Sequence, residues 1–139
     1  QSRSSAASDV YKRQLHSRKV GNFVLEESRE ATRSMFLNNP PEAVFVANDH
    51  MAFAVMDTLR YELGLKIPDD VSVVGYDDVP AASWPSYLLT TVQQPVNIMV
   101  RETVEILIEK IENPEARPQK IKVDGPLILR KSAKIYKGH

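Results

Sequence analysis

The sequence predicts an α/β fold, an open and mainly parallel sheet with helices on both faces, on two observations. Apolar runs of strand length recur without the polar alternation of a half-exposed strand, as a sheet covered on both faces requires. Between them lie stretches whose apolar residues fall three and four positions apart, the spacing of an amphipathic helix. Strands alternating with such helices are βαβ units, and these build a parallel sheet. A length of 139 residues suits one domain.

In order along the chain, residues 1–14 (QSRSSAASDVYKRQ) are small, polar and basic, with only Val10 and Tyr11 able to pack. They lack the apolar segment of a secretory signal and are expected to form a disordered or non-native tail. Residues 19–24 are a short strand candidate. Residues 26–37 are rich in helix formers, with Leu25, Met35 and Phe36 as apolar contacts, and Asn38-Asn39-Pro40-Pro41 stops that helix. Residues 43–47 (AVFVA) are a continuous apolar run of strand length. A long helix is expected from Asp49, with Met51, Val55, Leu59 and Leu63 on one face and Ala52, Met56 and Tyr61 widening it. Gly64 stands where a left-handed cap belongs, and Pro68 prevents the helix from resuming. Residues 71–76 read as a second buried strand and 90–93 as a third. Pro95 is placed as the first residue of another helix. Val96, Met99, Val100, Val104, Leu107, Ile108 and Ile111 form its expected buried side, and Asn113-Pro114 its end. Residues 121–123 and 127–129, around Asp124-Gly125-Pro126, read as a terminal pair of strands.

Composition narrows the function. Eighteen basic residues balance eighteen acidic ones, so no global field exists to hold a polyanion and the chain as it stands is a poor nucleic-acid binder. The absence of cysteine excludes disulfides, thiolate zinc sites and cysteine nucleophiles, and fits a cytoplasmic chain. No apolar run approaches the roughly 20 residues of a membrane helix, so a soluble protein is expected.

Ligands of an open parallel sheet bind beyond the carboxyl ends of its strands. The first apolar run delivers Asn48 and Asp49 there, the second Asp77 and Asp78, and the third carries Thr90, Thr91, Gln93 and Gln94. The crevice so formed is acidic and amide-rich, with no Lys or Arg in these turns. Such acceptors and donors match a neutral, polyhydroxylated molecule, whose hydroxyls both donate and accept. Blander roles stand beside these. Asp49 suits a helix cap as well as a ligand contact. Of the aspartate pair, Asp77 is the better ligand candidate, because adjacent side chains diverge and one of them suits a loop hydrogen bond. Gly75 within a strand suggests close backbone approach or a space-saving helix contact. Phe23 and Trp84 suit stacking on the apolar face of a sugar ring, with a core role the competing reading for Phe23. His50 has no second histidine at ligand spacing, so no metal and no cofactor are expected.

The segments VFVANDHMAFAVMDTLRYELGLKIPDDVSVVGYDD and LTTVQQPV resemble the effector-binding core of the lactose-repressor/galactose-repressor (LacI/GalR) family of bacterial transcription regulators. The likeness runs from about Val20 to Arg130. It lies in the ordered combination of A-N-D, P-D-D-V-S-V-V-G-Y-D-D and L-T-T-V-x-Q-P. It implies a periplasmic-binding-protein-like core of two α/β lobes with the effector between them, of which residues 15–139 supply the C-terminal lobe of a partial effector-binding domain. By this resemblance Asn48 and Asp77 match effector contacts, and Phe23 an aromatic packed on the ligand. Phe53 and the 78–85 loop, including Val79, Ala82 and Pro85, match dimer surface. Tyr87-Leu88 replaces a frequent Pro-Pro, and Phe53 replaces a small residue.

The function expected is therefore effector sensing, with a sugar or related polyol as ligand. The intact parent is expected to be a homodimer that meets operator DNA only through an N-terminal domain this chain lacks. The alternative of the same fold is a sugar-binding transport receptor, which a secretory signal upstream would mark. An enzyme is not expected. A retaining glycosidase needs two carboxyl groups about 5.5 Å apart, whereas adjacent Asp77 and Asp78 point apart. A phospho-accepting receiver needs a lysine where Gln93-Gln94 stands.

Overall fold

The computed structural model describes residue 15 and residues 17–135, so the expected tail at 1–14 lies outside the described residues. Helix α1 spans Leu25–Phe36, strand β1 Ala43–Phe45 and helix α2 Asp49–Asp57, which continues through a π-helical turn at Thr58–Glu62. Strand β2 (Ser72–Asp77), a 3-10 turn (Pro80–Ser83), strand β3 (Thr90–Gln93), helix α3 (Val96–Glu112) and strand β4 (Leu127–Ile128) follow. The sheet order is β1-β2-β3-β4. The first three strands are parallel, and β4 returns antiparallel to β3. This is the open, mainly parallel α/β sheet that the sequence predicts.

Helix α2 packs on one face of the sheet, with α1 against it. Met56, Leu59, Val73 and Leu89 close completely between helix and sheet, and Phe36, Val46 and Val71 complete that core. The buried stripe of α1 is Ser28, Thr32 and Phe36 at four-residue spacing. Its two hydroxyls donate within the helix, Ser28 to the Val24 carbonyl at 2.8 Å and Thr32 to the Ser28 carbonyl at 2.7 Å. Small residues satisfied in this way let α1 approach α2 closely.

Several expected details differ. Residues 19–24 form a turn instead of a strand, because Asn22 and Phe23 take positive φ (48° and 59°) and the Val24 amide bonds the Gly21 carbonyl at 2.9 Å. Leu25 is exposed at the start of α1. β1 is an edge strand, so Ala43 and Phe45 are exposed where burial on both faces was expected. The π-helical turn adds a residue to the last turn of α2, and the Leu63 amide reaches back to the Thr58 carbonyl at 3.0 Å. The expected face is lost beyond Leu59, and Tyr61 and Leu63 turn outward. Gly64 does take the left-handed conformation at φ 66°.

The largest departure is α3. Pro95 precedes its first turn, and none of its 17 residues is buried. Its predicted inner side, Val96, Met99, Val100, Val104, Leu107, Ile108 and Ile111, is exposed, because no described element packs over it. The register also places Phe45, Tyr76 and Leu127 on the sheet face away from α2, where all three are exposed. Of the terminal pair only Leu127–Ile128 is a strand, and its partner is β3 rather than residues 121–123.

Candidate functional site at the carboxyl ends of the strands

Parallel pairing of β1, β2 and β3 brings their carboxyl ends to one edge, with Asn48-Asp49, Asp77-Asp78 and Gln93-Gln94 along it. Asp49 holds that edge together. It is fully buried; its Oδ2 accepts from the Val79 amide at 3.0 Å and its Oδ1 from the Thr91 hydroxyl at 2.7 Å. A single carboxylate thus ties the start of α2 to the loop after β2 and to β3. It also explains Gly75, where a Cβ would collide with Asp49 Oδ1 and lie 2.8 Å from Leu89 Cδ2. Close approach and the space-saving contact are one fact here. Charge at the N-terminus of a helix is favourable, which helps Asp49 remain buried.

The helix cap is Asn48, not Asp49: Asn48 Oδ1 accepts from the Met51 amide at 2.9 Å. With the oxygen so held, the Asn48 amide N–H₂ has no partner among the described residues. The half-buried Asp77 accepts from Gln94 Nε2 at 2.5 Å through Oδ1, while its Oδ2 likewise has no partner among the described residues. Asp78 is spent internally. Its Oδ1 accepts from Arg130 at 2.7 Å and its Oδ2 from Gln93 Nε2 at 2.8 Å. Asp77 and Asp78 both hold positive φ, 125° and 57°, a strain of about 1–3 kcal/mol each that persists only where surrounding contacts enforce it.

Two expectations change accordingly. The amides of Gln93 and Gln94 serve the aspartates instead of lining an open crevice. A basic group does reach the edge: Arg130, 52 residues from Asp78, arrives after β4 as the partner of a largely buried ion pair. Local reading of the strand-end turns has no access to it, since only the return of β4 beside β3 brings it there.

Phe23 is 75% exposed, so the core role is excluded. Its turn packs beside the first turn of α2, since a Cβ on Gly21 would stand 3.3 Å from Met51 Sδ. Trp84 is exposed at the end of the 3-10 turn. Of the expected dimer surface, Phe53 and Ala82 are corrected to core residues, 9% and 0% exposed. Phe53 stacks on Tyr87 with ring centroids 4.3 Å apart, so the Tyr87 that departs from the resemblance supplies the partner for the Phe53 that departs from it. Val79 is half-buried against the same core, and Pro85 is exposed. Burial raises the Tyr87 phenol above its ordinary pKa, and the Asp57 carboxylate that accepts its hydroxyl at 3.3 Å adds to the shift.

Among the described residues, no three His, Asp or Glu side chains gather as a metal would need, and no helix is long and apolar enough to cross a membrane. Two surface depressions of about 320 and 290 Å³ lie elsewhere, the first beside Lys19, Glu27 and Ser34 and the second beside Ile106 and Pro118.

A family of periplasmic binding protein-like domains matches residues 2–133. The ribose operon repressor of Escherichia coli (strain K12) is 36% identical over 116 residues, 82% of this chain and 34% of that protein. The PurR transcriptional repressor of Photobacterium profundum is 34% identical over 115 residues, with the same coverage. The chain thus spans about a third of the length of these relatives. Among solved structures, a complex of the transcriptional regulator CelR with cellobiose superposes with TM-score 0.82 at 29% identity, over 92% of this chain and 40% of that one. A LacI family regulator from Enterococcus faecium with bound ribose gives TM-score 0.74 at 27% identity, over 92% and 48%. The lac repressor dimer bound to operator and the anti-inducer ONPF gives 0.82 at 26%, over 92% and 44%.

Proposed function

The chain belongs to the periplasmic binding protein-like domain family, as part of a LacI/GalR-type regulator, and from that premise we propose that it supplies one wall of a sugar-sensing cleft. The observation that carries this reading is the strand-end edge, where, among the described residues, Asn48 keeps an amide donor and Asp77 a carboxylate oxygen without a partner. A sugar hydroxyl donates to Asp77 and accepts from Asn48, a pairing that a neutral polyol satisfies without a counter-charge. The exposed rings of Phe23 and Trp84 suit stacking against the apolar face of a sugar ring. Asp49 supports the site from beneath, its two oxygens being already engaged.

In this reading the protein is a cytoplasmic sensor and not an enzyme. The effector binds one arrangement of the cleft more tightly, and that difference shifts the population competent for operator DNA. DNA contact and the opposite wall of the cleft come from parts of the regulator beyond this sequence. Homodimer contact falls near the exposed loop at Pro85.

Calorimetric titration of the intact protein carrying this sequence with ribose and with cellobiose tests the proposal. Binding of at least one, weakened several-fold in Asn48→Ala and about tenfold or more in Asp77→Ala, is the expected result; a lost neutral hydrogen bond is worth about 0.5–1.5 kcal/mol and one to a charged group about 1.5–3 kcal/mol. Affinity unchanged in both variants removes the site.

A further inference from the structure

The geometry points to Arg130 as a positioning residue for Asp77, the far end of a relay that fixes the effector edge to the two chain segments flanking α3. This rests on the effector reading of Asp77 given above.

The turn at Asp77-Asp78 has two successive non-glycine residues at positive φ, so its shape must be imposed from outside. The side-chain bonds to the two aspartates come from the segments leading into and out of α3. On the outgoing side, Gln93 Nε2 donates to Asp78 at 2.8 Å and Gln94 Nε2 to Asp77 at 2.5 Å. On the returning side, the Arg130 guanidinium donates one N–H to Asp78 at 2.7 Å and another to the Leu89 carbonyl at 2.8 Å, just ahead of β3. The Arg130 backbone is itself anchored, its amide donating to the Thr90 hydroxyl at 2.9 Å. Ser132 follows as a bridge between the strands. Its hydroxyl accepts from the Thr90 amide at 2.7 Å and donates to the Val73 carbonyl at 2.6 Å.

Arg130 therefore spans β3 and the aspartate turn with a rigid fork that a single ammonium cannot reproduce. With 17% of the Arg130 side chain and 11% of the Asp78 side chain exposed, the pair is largely shielded from solvent and salt. Asp78 does not face an effector with a free oxygen; it transmits the position of Arg130 to its neighbour. A change at Asp77 on effector binding is in this way tied to the path of the chain that carries α3, and the reverse holds by linkage.

Two measurements on the intact protein test this, one of them independent of any sugar. Amide hydrogen exchange of Val79 and Gln94, which bond Asp49 and the Asp77 carbonyl, should quicken about tenfold or more in Arg130→Gln. In Arg130→Lys it should quicken almost as much, since charge is kept but the fork is lost. Unchanged exchange at both amides in Arg130→Gln overturns the relay. The second measurement is a ribose and cellobiose affinity cycle of Arg130→Gln with Asp77→Ala. Arg130→Gln should weaken binding several-fold in the parent background and have no further effect once Asp77 is alanine. An equal loss in both backgrounds identifies general destabilisation and overturns the positioning role. Normal affinity in Arg130→Gln beside lost affinity in Asp77→Ala leaves the effector reading standing and the relay refuted. Normal affinity in Asp77→Ala refutes the effector reading, and the exchange data then decide the relay by themselves.

Discussion

The two polar atoms of Asn48 stand in different positions, and substitutions can separate what each does. Its oxygen caps α2, while its nitrogen has no partner among the described residues. Asn48→Ser keeps a capping oxygen and should leave the urea unfolding free energy within about 0.5 kcal/mol, whereas Asn48→Ala should lower it by about 1 kcal/mol. Both variants lose the amide donor, so both should lose sugar affinity if that donor meets the effector. Gly75 shows the opposite case, a residue with one purpose. Any Cβ there displaces the Asp49 carboxylate from a site where it is fully buried and twice bonded. Gly75→Ala is expected to cost about 2–4 kcal/mol in denaturant unfolding. A cost below about 0.5 kcal/mol would mean that Asp49 is not confined as described.

At the scale of elements, the π-helical end of α2 is tied to its surroundings by polar contacts. Arg33 of α1 pairs with Glu62 at 2.6 Å as well as with Glu26 and Glu30, and Arg60 reaches the Ser86 carbonyl at 2.5 Å. The Arg33 hydrogen bond holds the Glu62 carboxyl below its usual range. Tyr87 stacks on Phe53 and donates to Asp57, and its raised pKa fixes the sign of a pH effect. A phenol whose folded pKa lies above its unfolded value contributes stability that is full below about pH 10 and lost as pH rises through the folded pKa. The melting temperature of Tyr87→Phe should consequently fall less steeply than the parent's above pH 10, with the ring stack kept. Parallel pH profiles for the two proteins would contradict the assignment.

For the whole molecule, the uncovered side of α3 and the sheet face bearing Phe45, Tyr76 and Leu127 together expose a large apolar surface. Such surface drives association unless something covers it. The 139-residue chain expressed by itself should therefore show sedimentation coefficients that rise with concentration, and Leu107→Glu with Ile108→Lys should reduce the rise. A well-behaved monomer at high concentration would contradict this.

The alternation of strands and helices from α1 to α3, the limits of β3, the left-handed Gly64 and the placing of Asn48 and Asp77 at strand ends were legible in the sequence, whereas the strands expected at 19–24 and 121–123 did not form. Each legible feature follows from local rules: apolar periodicity, cap chemistry and the freedom of glycine at positive φ. The edge position of β1, the bare side of α3, the burial of Phe53 and Ala82 and the arrival of Arg130 were not. Those depend on which segments become neighbours. An apolar stripe states that a surface wants covering without naming its cover, and an aspartate at a strand end does not announce an arginine 52 residues away. The sequence by itself determined which strand-end groups stand at the edge; the tertiary structure brought Arg130 to them and decided which remain free among the described residues, because hydrogen bonds between distant segments satisfy Asp49 and Asp78 and leave Asn48 and Asp77 partly unpaired.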